Sequence, residues 1–355
     1  MNLHAVQQSK LRHDLARIPG LLVTVMLACM CNRAHAEWIY RDAPIMGTRC
    51  DVELWTEDRL QGEAAISAVF DEMRRIDNEF STYKPASEVS RVNDQAAKAP
   101  MRISQELFDL IATSIDYSKL TRGTFDITYA SVGYMYNYPE HVRPTEAQIA
   151  AALPESNYRH IHLDEAAQTV FFDHPGVRID FGGIGKGYAV DRGIAVLQKL
   201  GVTRAMVNAG GDSRIIGDRF GKPWLIGIRD PDDRNRTILK IPLTDAAFST
   251  SGDYERFFDE GGVRYHHILD PRTGKSPHKV RSVTIIGPYA TRTDALTKSV
   301  FVMGVQDGIE FINSLPDVDA VAVTPDRKVW YSKGLENPDA PQAGAHPGAP
   351  GSAPH

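Results

Sequence analysis

The stretch "GEAAISAVFDEMRRIDNEFSTY", Gly62 to Tyr83, carries apolar residues at Ile66, Val69, Phe70, Met73, Ile76 and Phe80. Steps of three and four put these on one face of an α-helix, so the segment is predicted to be amphipathic and core-facing. A second helix is predicted after the N-cap Ser104, with Leu107, Leu110, Ile111, Ile115 and Leu120 on its inner face and Gly123 past its end. Thr145 and Gln148 have the spacing of a capping box and open a third. From Asn157 the texture changes to short β runs. "RHIHLD", "TVFFD" and "VRIDF" read as hairpin strands, and "TRCDVELW" near the start alternates in the same way. A helix from Lys186 to Leu200 follows, stopped by Gly201. Further strands are predicted at "RAMVN", "WLIGIR", "TILKIPL", "YHHILD", "SVTIIG" and "AVAVT", with one more helix around Asp294 to Met303. Helices in a block followed by many strands indicate an α+β fold rather than strict βαβ alternation. There is no internal repeat.

The two ends fall outside this pattern. Residues 1–36 combine Lys10, Arg12 and Arg17, the apolar run "IPGLLVTVMLACMC" and the small-residue site "AHA", which is the layout of a cleavable secretory signal. The apolar run is shorter than the roughly 20 residues of a spanning helix. A lipoprotein reading would make Cys29 the lipidated residue, but Met26-Leu27-Ala28 is a poor match to what such a site requires. At the other end, residues 337–355 are rich in Pro, Ala and Gly without large apolar groups, and are expected to be disordered. The expected folded domain is therefore 37–336, exported to the periplasm.

Composition narrows the function classes. With 42% apolar and 24% charged residues the chain is that of a globular protein. Its net charge of -5 becomes -8 once residues 1–36 are removed, leaving 36 basic against 44 acidic residues. That balance argues against nucleic acid as a partner. Cys50 is then the last thiol, so no intrachain disulfide is possible, and its place in an alternating segment makes it a buried structural cysteine.

The segment "IDFGGIGKGYAVDR", Ile179 to Arg192, is a glycine-rich turn that opens a helix and holds a lysine. It is not a P-loop, because Gly187 stands where a Ser or Thr must bind magnesium and Asp180 where the first glycine belongs. Nor is it a dinucleotide fingerprint, since Gly183, Gly185 and Gly187 occur at alternate positions. Glycines still let backbone N–H groups approach phosphate oxygens, and a helix N-terminus favours anions. Lys186 adds a formal charge.

Other stretches have no evident packing role: "MGT" at Met46, "FSTYKPASEVSRVN" from Phe80, "GTFDIT" from Gly123, "NAGGDSRIIG" from Asn208, "FSTSGDYERFF" from Phe248, "HHILDPRTGKSP" from His266 and "TDALTKSVFVMG" from Thr293. In this order, with the glycine turn among them, they closely resemble the ApbE family of FAD:protein FMN transferases, over about Met46 to Gly304. The resemblance implies an ApbE-like (T-fold-like) α+β architecture of mixed or antiparallel sheets with packed helices. It implies magnesium-dependent transfer of FMN from FAD to a Thr or Ser hydroxyl of a target protein, with release of AMP. The acceptor would be a flavin-carrying domain of an exported electron-transfer protein, which would also bring the enzyme close to a membrane. By the same resemblance, Met46, Tyr83, Thr124, Phe125, Asp126, Asp180, Lys186 and Ile268 are expected to contact FAD. Gly183, through its carbonyl, and Asp294 are expected to hold Mg2+, with Asp294 also counted as catalytic. His267 is the candidate general base or phosphate-positioning group, a role an imidazole suits near neutral pH.

One segment departs from the family pattern. Where the family reads D-A-L-x-T, this chain has Asp294-Ala295-Leu296-Thr297-Lys298, and Thr291 stands at a second position that is usually acidic. An ammonium has three donors and no lone pair, so Lys298 cannot ligate a metal. Making it neutral at pH 7 from a reference near 10.4 would cost about 4.6 kcal/mol. Either Thr297 or Thr291 supplies the missing oxygen through a shifted geometry, or the lysine itself meets phosphate and the metal is bound weakly. Two alternatives to the transferase stay open here: an FAD pyrophosphatase that passes FMN to water, and a non-catalytic flavin-binding protein.

Overall fold

In a computed structural model, which describes residues 36–233 and 235–335, eight strands form one antiparallel sheet in strict chain order. They are β1 (Glu37–Ile45), β2 (Thr48–Thr56), β3 (Ala205–Ala209), β4 (Asp212–Ile216), β5 (Ala247–Gly252), β6 (Ser282–Gly287), β7 (Asp319–Val323) and β8 (Val329–Tyr331). The expected signal segment, apart from Ala36, and the expected tail lie outside the described residues. No described helix is long and apolar enough to cross a membrane.

The helices pack as their periodicity requires. Helix α1 (Arg59–Phe80) is capped by Asp58 and buries Ile66, Val69, Phe70, Met73, Ile76 and Phe80. Helix α2 (Gln105–Leu120) is capped by Ser104, and its inner face holds Leu107, Leu110 and Ile111, whereas Leu120 is exposed. Helix α3 (Gly185–Lys199) lies with α1 against β2 and β3 in the larger core, which includes Val52, Val69, Ile194 and Val207. Helix α4 (Ala290–Met303) buries Leu296, Val300 and Phe301 against β6 and β7. The Thr145–Gln148 capping box is present, opening the helix Glu146–Ala152.

Two expected strands are corrected. "VRIDF" is extended but pairs with no strand, because side chains and a loop take its backbone groups: Asn93 exchanges hydrogen bonds with Ile179 (2.8 and 2.9 Å), Ser131 accepts from Arg178 N–H (3.0 Å), and Ile127 O accepts from Asp180 N–H (3.0 Å). "YHHILD" is strand only as far as His266, where Val263–His266 pairs with Phe257–Glu260. The helix Glu88–Gln95 and strands β4 and β5 lie in segments set aside as lacking a packing role; their burial is carried by small and β-branched residues, a weaker periodic signal.

Candidate active site

The glycine turn is built where three segments meet. Asp180, partly buried, accepts hydrogen bonds from Tyr129 Oη (2.9 Å), Gly182 N–H (2.6 Å) and the Thr82 hydroxyl. These tie the "FSTY" and "GTFDIT" segments to the turn. Gly183 is confined: a Cβ there would lie 3.2 Å from the Phe125 ring and 3.6 Å from Lys298 Cγ. The stem of Lys298 therefore runs along the turn.

At the N-terminus of α3 the charges collect. Asp294, 0% exposed, projects from α4 and accepts the Gly187 N–H on Oδ2 at 3.0 Å, while the Lys298 ammonium pairs with Oδ1. Lys186 pairs with the buried carboxylate of Asp212. Burial alone would raise the pKa of Asp294, but Lys186, Lys298 and the Gly187 N–H outweigh it and hold the carboxyl below its usual range. For Asp212 burial prevails, with the Asp294 charge beside it, and its pKa is raised. Lys186 is desolvated, yet Asp212 and Asp294 together raise its pKa and keep it charged.

His267 completes the cluster. Its backbone N–H donates to Arg256 O (3.0 Å), and the Arg256 guanidinium reaches back toward Gly47 O (3.4 Å), linking the histidine to the β1–β2 turn. Burial, then the charges of His266, Lys298, Arg256 and Lys186, push its pKa down to about 3. The residue is half-buried, but Nδ1 is buried without a hydrogen-bond partner among the described residues. Three cations against two carboxylates give the site a positive balance suited to an anionic ligand.

The remaining expected contacts divide into two kinds. Met46 forms the β1–β2 turn with Gly47 at φ 55° and 67°, a left-handed conformation unusual for methionine. It borders a cleft of about 700 Å³ lined also by Thr48, Asp77, Asn78 and Lys84. Tyr83 is 86% exposed, an aromatic face with no ring partner among the described residues. Thr124, Phe125 and Ile268, by contrast, are buried, so a ligand reaches their backbone more readily than their side chains. Asp126 is fully engaged, accepting from Thr128 N–H (2.9 Å), the Thr128 hydroxyl (2.6 Å) and Tyr158 N–H (2.7 Å), and it holds the turn's shape.

Asp212 is not among the contacts that the resemblance implies, yet a lysine buried at a helix start needs a counter-charge, and "NAGGD" supplies it. Arg256 and Tyr129 carried no signal in the sequence. Asp253, in "FSTSGDYERFF", binds Arg281 (2.7 and 2.6 Å) rather than a residue of this cluster. Cys50 is buried with its pKa pushed up to about 12, as a structural thiol requires.

His266 points away from His267, into the core. Its Nε2–H donates to Pro277 O (2.7 Å), its ring meets Phe301 edge-on, and burial pushes its pKa down to about 4. The unfolded chain, titrating near 6.5, takes up the proton first, so this contribution is complete above that pH and fades as pH falls toward 4. The stability advantage of the parent over His266→Gln is expected to shrink by about 1 kcal/mol between pH 7 and 5.5 in urea melts. A constant difference over that range would mean that the imidazole is not held neutral.

Known proteins resemble this chain over most of its length. The family model described as the ApbE family matches residues 46–322. A protein of Klebsiella pneumoniae (strain 342) named FAD:protein FMN transferase is 31% identical over 294 residues, spanning 82% of this chain and 90% of its own length. Its namesake from Treponema pallidum (strain Nichols) is 29% identical, spanning 89% and 93%. The crystal structure of the ApbE protein from Thermotoga maritima superposes with a TM-score of 0.78 at 34% identity, covering 84% of this chain and 98% of that one. The flavin transferase ApbE from Vibrio cholerae gives 0.74 at 27%, with the same coverage. The match of the family model across most of the chain, together with a relative more than 30% identical over most of both lengths, shows that this chain belongs to the ApbE family.

Proposed function

We propose that this protein is an FAD:protein FMN transferase of the periplasm that moves FMN from FAD to a Thr or Ser hydroxyl of an exported flavoprotein and releases AMP. The observation that carries the reading is the grouping of Lys186, Lys298, Arg256 and neutral His267 around the N-terminus of α3. The acceptor oxygen attacks the phosphorus attached to riboflavin, and the bond from that phosphorus to the oxygen bridging to AMP breaks, with its electron pair leaving on AMP. The hydroxyl proton passes to His267 and then to solvent. No redox change occurs. Such a reaction depends on positioning and on neutralising phosphate charge.

Burial first, and then the charges of Lys298, Arg256 and Lys186, make His267 a weak base; two phosphates entering beside Lys298 and Lys186 would offset those charges and make its Nδ1 more basic. No step of this reading draws on magnesium, because the Asp294 oxygens assigned to it are held by Lys298 and by Gly187 N–H.

Incubation of the mature protein with FAD and a flavin-carrying domain of an exported electron-transfer protein is expected to yield a fluorescent covalent adduct with the mass of FMN. Release of FMN and AMP without an adduct would identify a pyrophosphatase, and intact bound FAD a carrier. Tyr83, open to solvent, offers a stacking face for a flavin or adenine ring. Tyr83→Ala is expected to weaken FAD binding by about tenfold or more in fluorescence titrations. Its unfolding should stay within about 0.5 kcal/mol of the parent, since nothing packs on the ring. Undiminished FAD affinity would remove Tyr83 from the site.

A further inference from the structure

The side chains here do not fit the metal that the family resemblance implies, which leaves the Gly183 carbonyl as the expected ligand without a competing partner among the described residues. Magnesium is bound through one or two carboxylates and substrate phosphates, in an octahedron of hard oxygens. Asp294, the expected carboxylate, is engaged on both oxygens, Oδ1 by the Lys298 ammonium and Oδ2 by Gly187 N–H, so a metal on its remaining lone pairs would sit against an ammonium. The two hydroxyls that were candidates to replace the missing ligand face elsewhere. Thr291 donates to Asp191 at 2.6 Å, and its N–H binds the same carboxylate at 2.8 Å. Thr297 donates to Asp294 O at 2.7 Å and lies 2.8 Å from Ser251 Oγ. Asp212, the other buried acid, already carries Lys186. A divalent ion entering here would also meet the positive charges of Lys186, Lys298 and Arg256, which outnumber the two carboxylates.

We propose that the ammonium of Lys298 stands in for the divalent cation, so that this protein transfers FMN without a metal. The inference rests on the transfer reading above. One of the three ammonium N–H groups is spent on Asp294, which leaves two for phosphate oxygens. Running along Gly183, the stem directs the charge to the mouth of the glycine turn, beside the α3 N-terminus. There it faces the negative charge that grows on the oxygen leaving with AMP, while Lys186 remains behind it on Asp212. The tether also fixes where the ammonium sits: Asp294 and Lys298 are four residues apart on one helix, so folding sets the pair.

The test compares covalent flavin transfer by the EDTA-treated protein in excess EDTA and in excess magnesium, together with Mn2+ binding to the flavin-free protein by electron paramagnetic resonance. The expected result is equal transfer in both conditions and no Mn2+ binding up to millimolar concentrations. In Lys298→Thr, which restores the family residue, EDTA-resistant transfer should fall by about 100-fold, magnesium should recover it, and Mn2+ binding should appear. Parent transfer that is lost in EDTA and restored by magnesium overturns the inference while leaving the transferase intact. No adduct under any condition would instead count against the transferase reading, and Mn2+ binding would still decide the cation question: tight binding by the parent overturns the inference, and binding gained only in Lys298→Thr upholds it. Should Lys298→Thr fail to fold, the two measurements on the parent suffice.

Discussion

Replacing Asp294 with alanine is expected to lower FMN transfer by about 100-fold or more and to destabilise the protein by about 3–5 kcal/mol. The carboxylate is buried and answers three groups: the Lys298 ammonium, the Gly187 N–H, and the more distant charge of Lys186. Removing it leaves Lys298, whose side chain is 15% exposed, without its partner, and takes an acceptor from the first turn of α3. The site would keep its cations but lose the group that aims one of them. Asp294→Asn separates the two losses, because an amide oxygen can still accept from Gly187 while the charge is gone. Its stability should fall less than that of the alanine variant, and its transfer should fall nearly as far. Urea unfolding and in-gel flavin fluorescence of both variants measure this, and transfer by Asp294→Ala at the parent rate would exclude Asp294 from the chemistry.

Much of this site was legible in the sequence, for reasons that differ by residue. Helix α1 was readable because six apolar side chains keep one period, and the Thr145 capping box because its two partners sit three residues apart. Lys186 and Asp294 were readable as chemistry through motif resemblance, and Lys298 as a departure from it. What the chain could not disclose were pairings across long separations. Asp212 and Lys186 are joined only when β4 lies beside α3, and Arg256 reaches Gly47 only after the sheet has formed. "VRIDF" misled for a related reason: its alternation is that of a strand, but Asn93 and Ser131 fill the places of strand neighbours. The Lys298–Asp294 contact lay within one helix and obeyed a four-residue spacing, so the lysine's partner was visible in principle. Its meaning emerged only when both Asp294 oxygens were seen to be occupied.

Gly187→Ala tests the join on which the whole site depends. A Cβ at this position would lie 2.2 Å from Ala290 O and 2.8 Å from Asp294 Cβ. The nearer obstacle is backbone in the first turn of α4, which cannot rotate away as a side chain would. Alanine favours a helix over glycine by about 1 kcal/mol, but prising apart two packed helices costs more, and a net loss of about 2–4 kcal/mol is expected. Thermal unfolding should drop by about 3–6 °C for a domain of this size. Gly193→Ala, farther along α3, is the matched control: its Cβ would meet side-chain methyl groups of Val69 at 2.9 Å and Val207 at 3.2 Å, which can yield in part. The Gly187 variant should also transfer flavin at least about tenfold more slowly, because moving α4 stretches the 3.0 Å bond from Gly187 N–H to Asp294 and carries Lys298 away from the turn. Equal stability of Gly187→Ala and the parent would mean that α3 and α4 do not meet at this contact. A loss of stability without loss of transfer would mean that the meeting supports the fold but does not aim the cation.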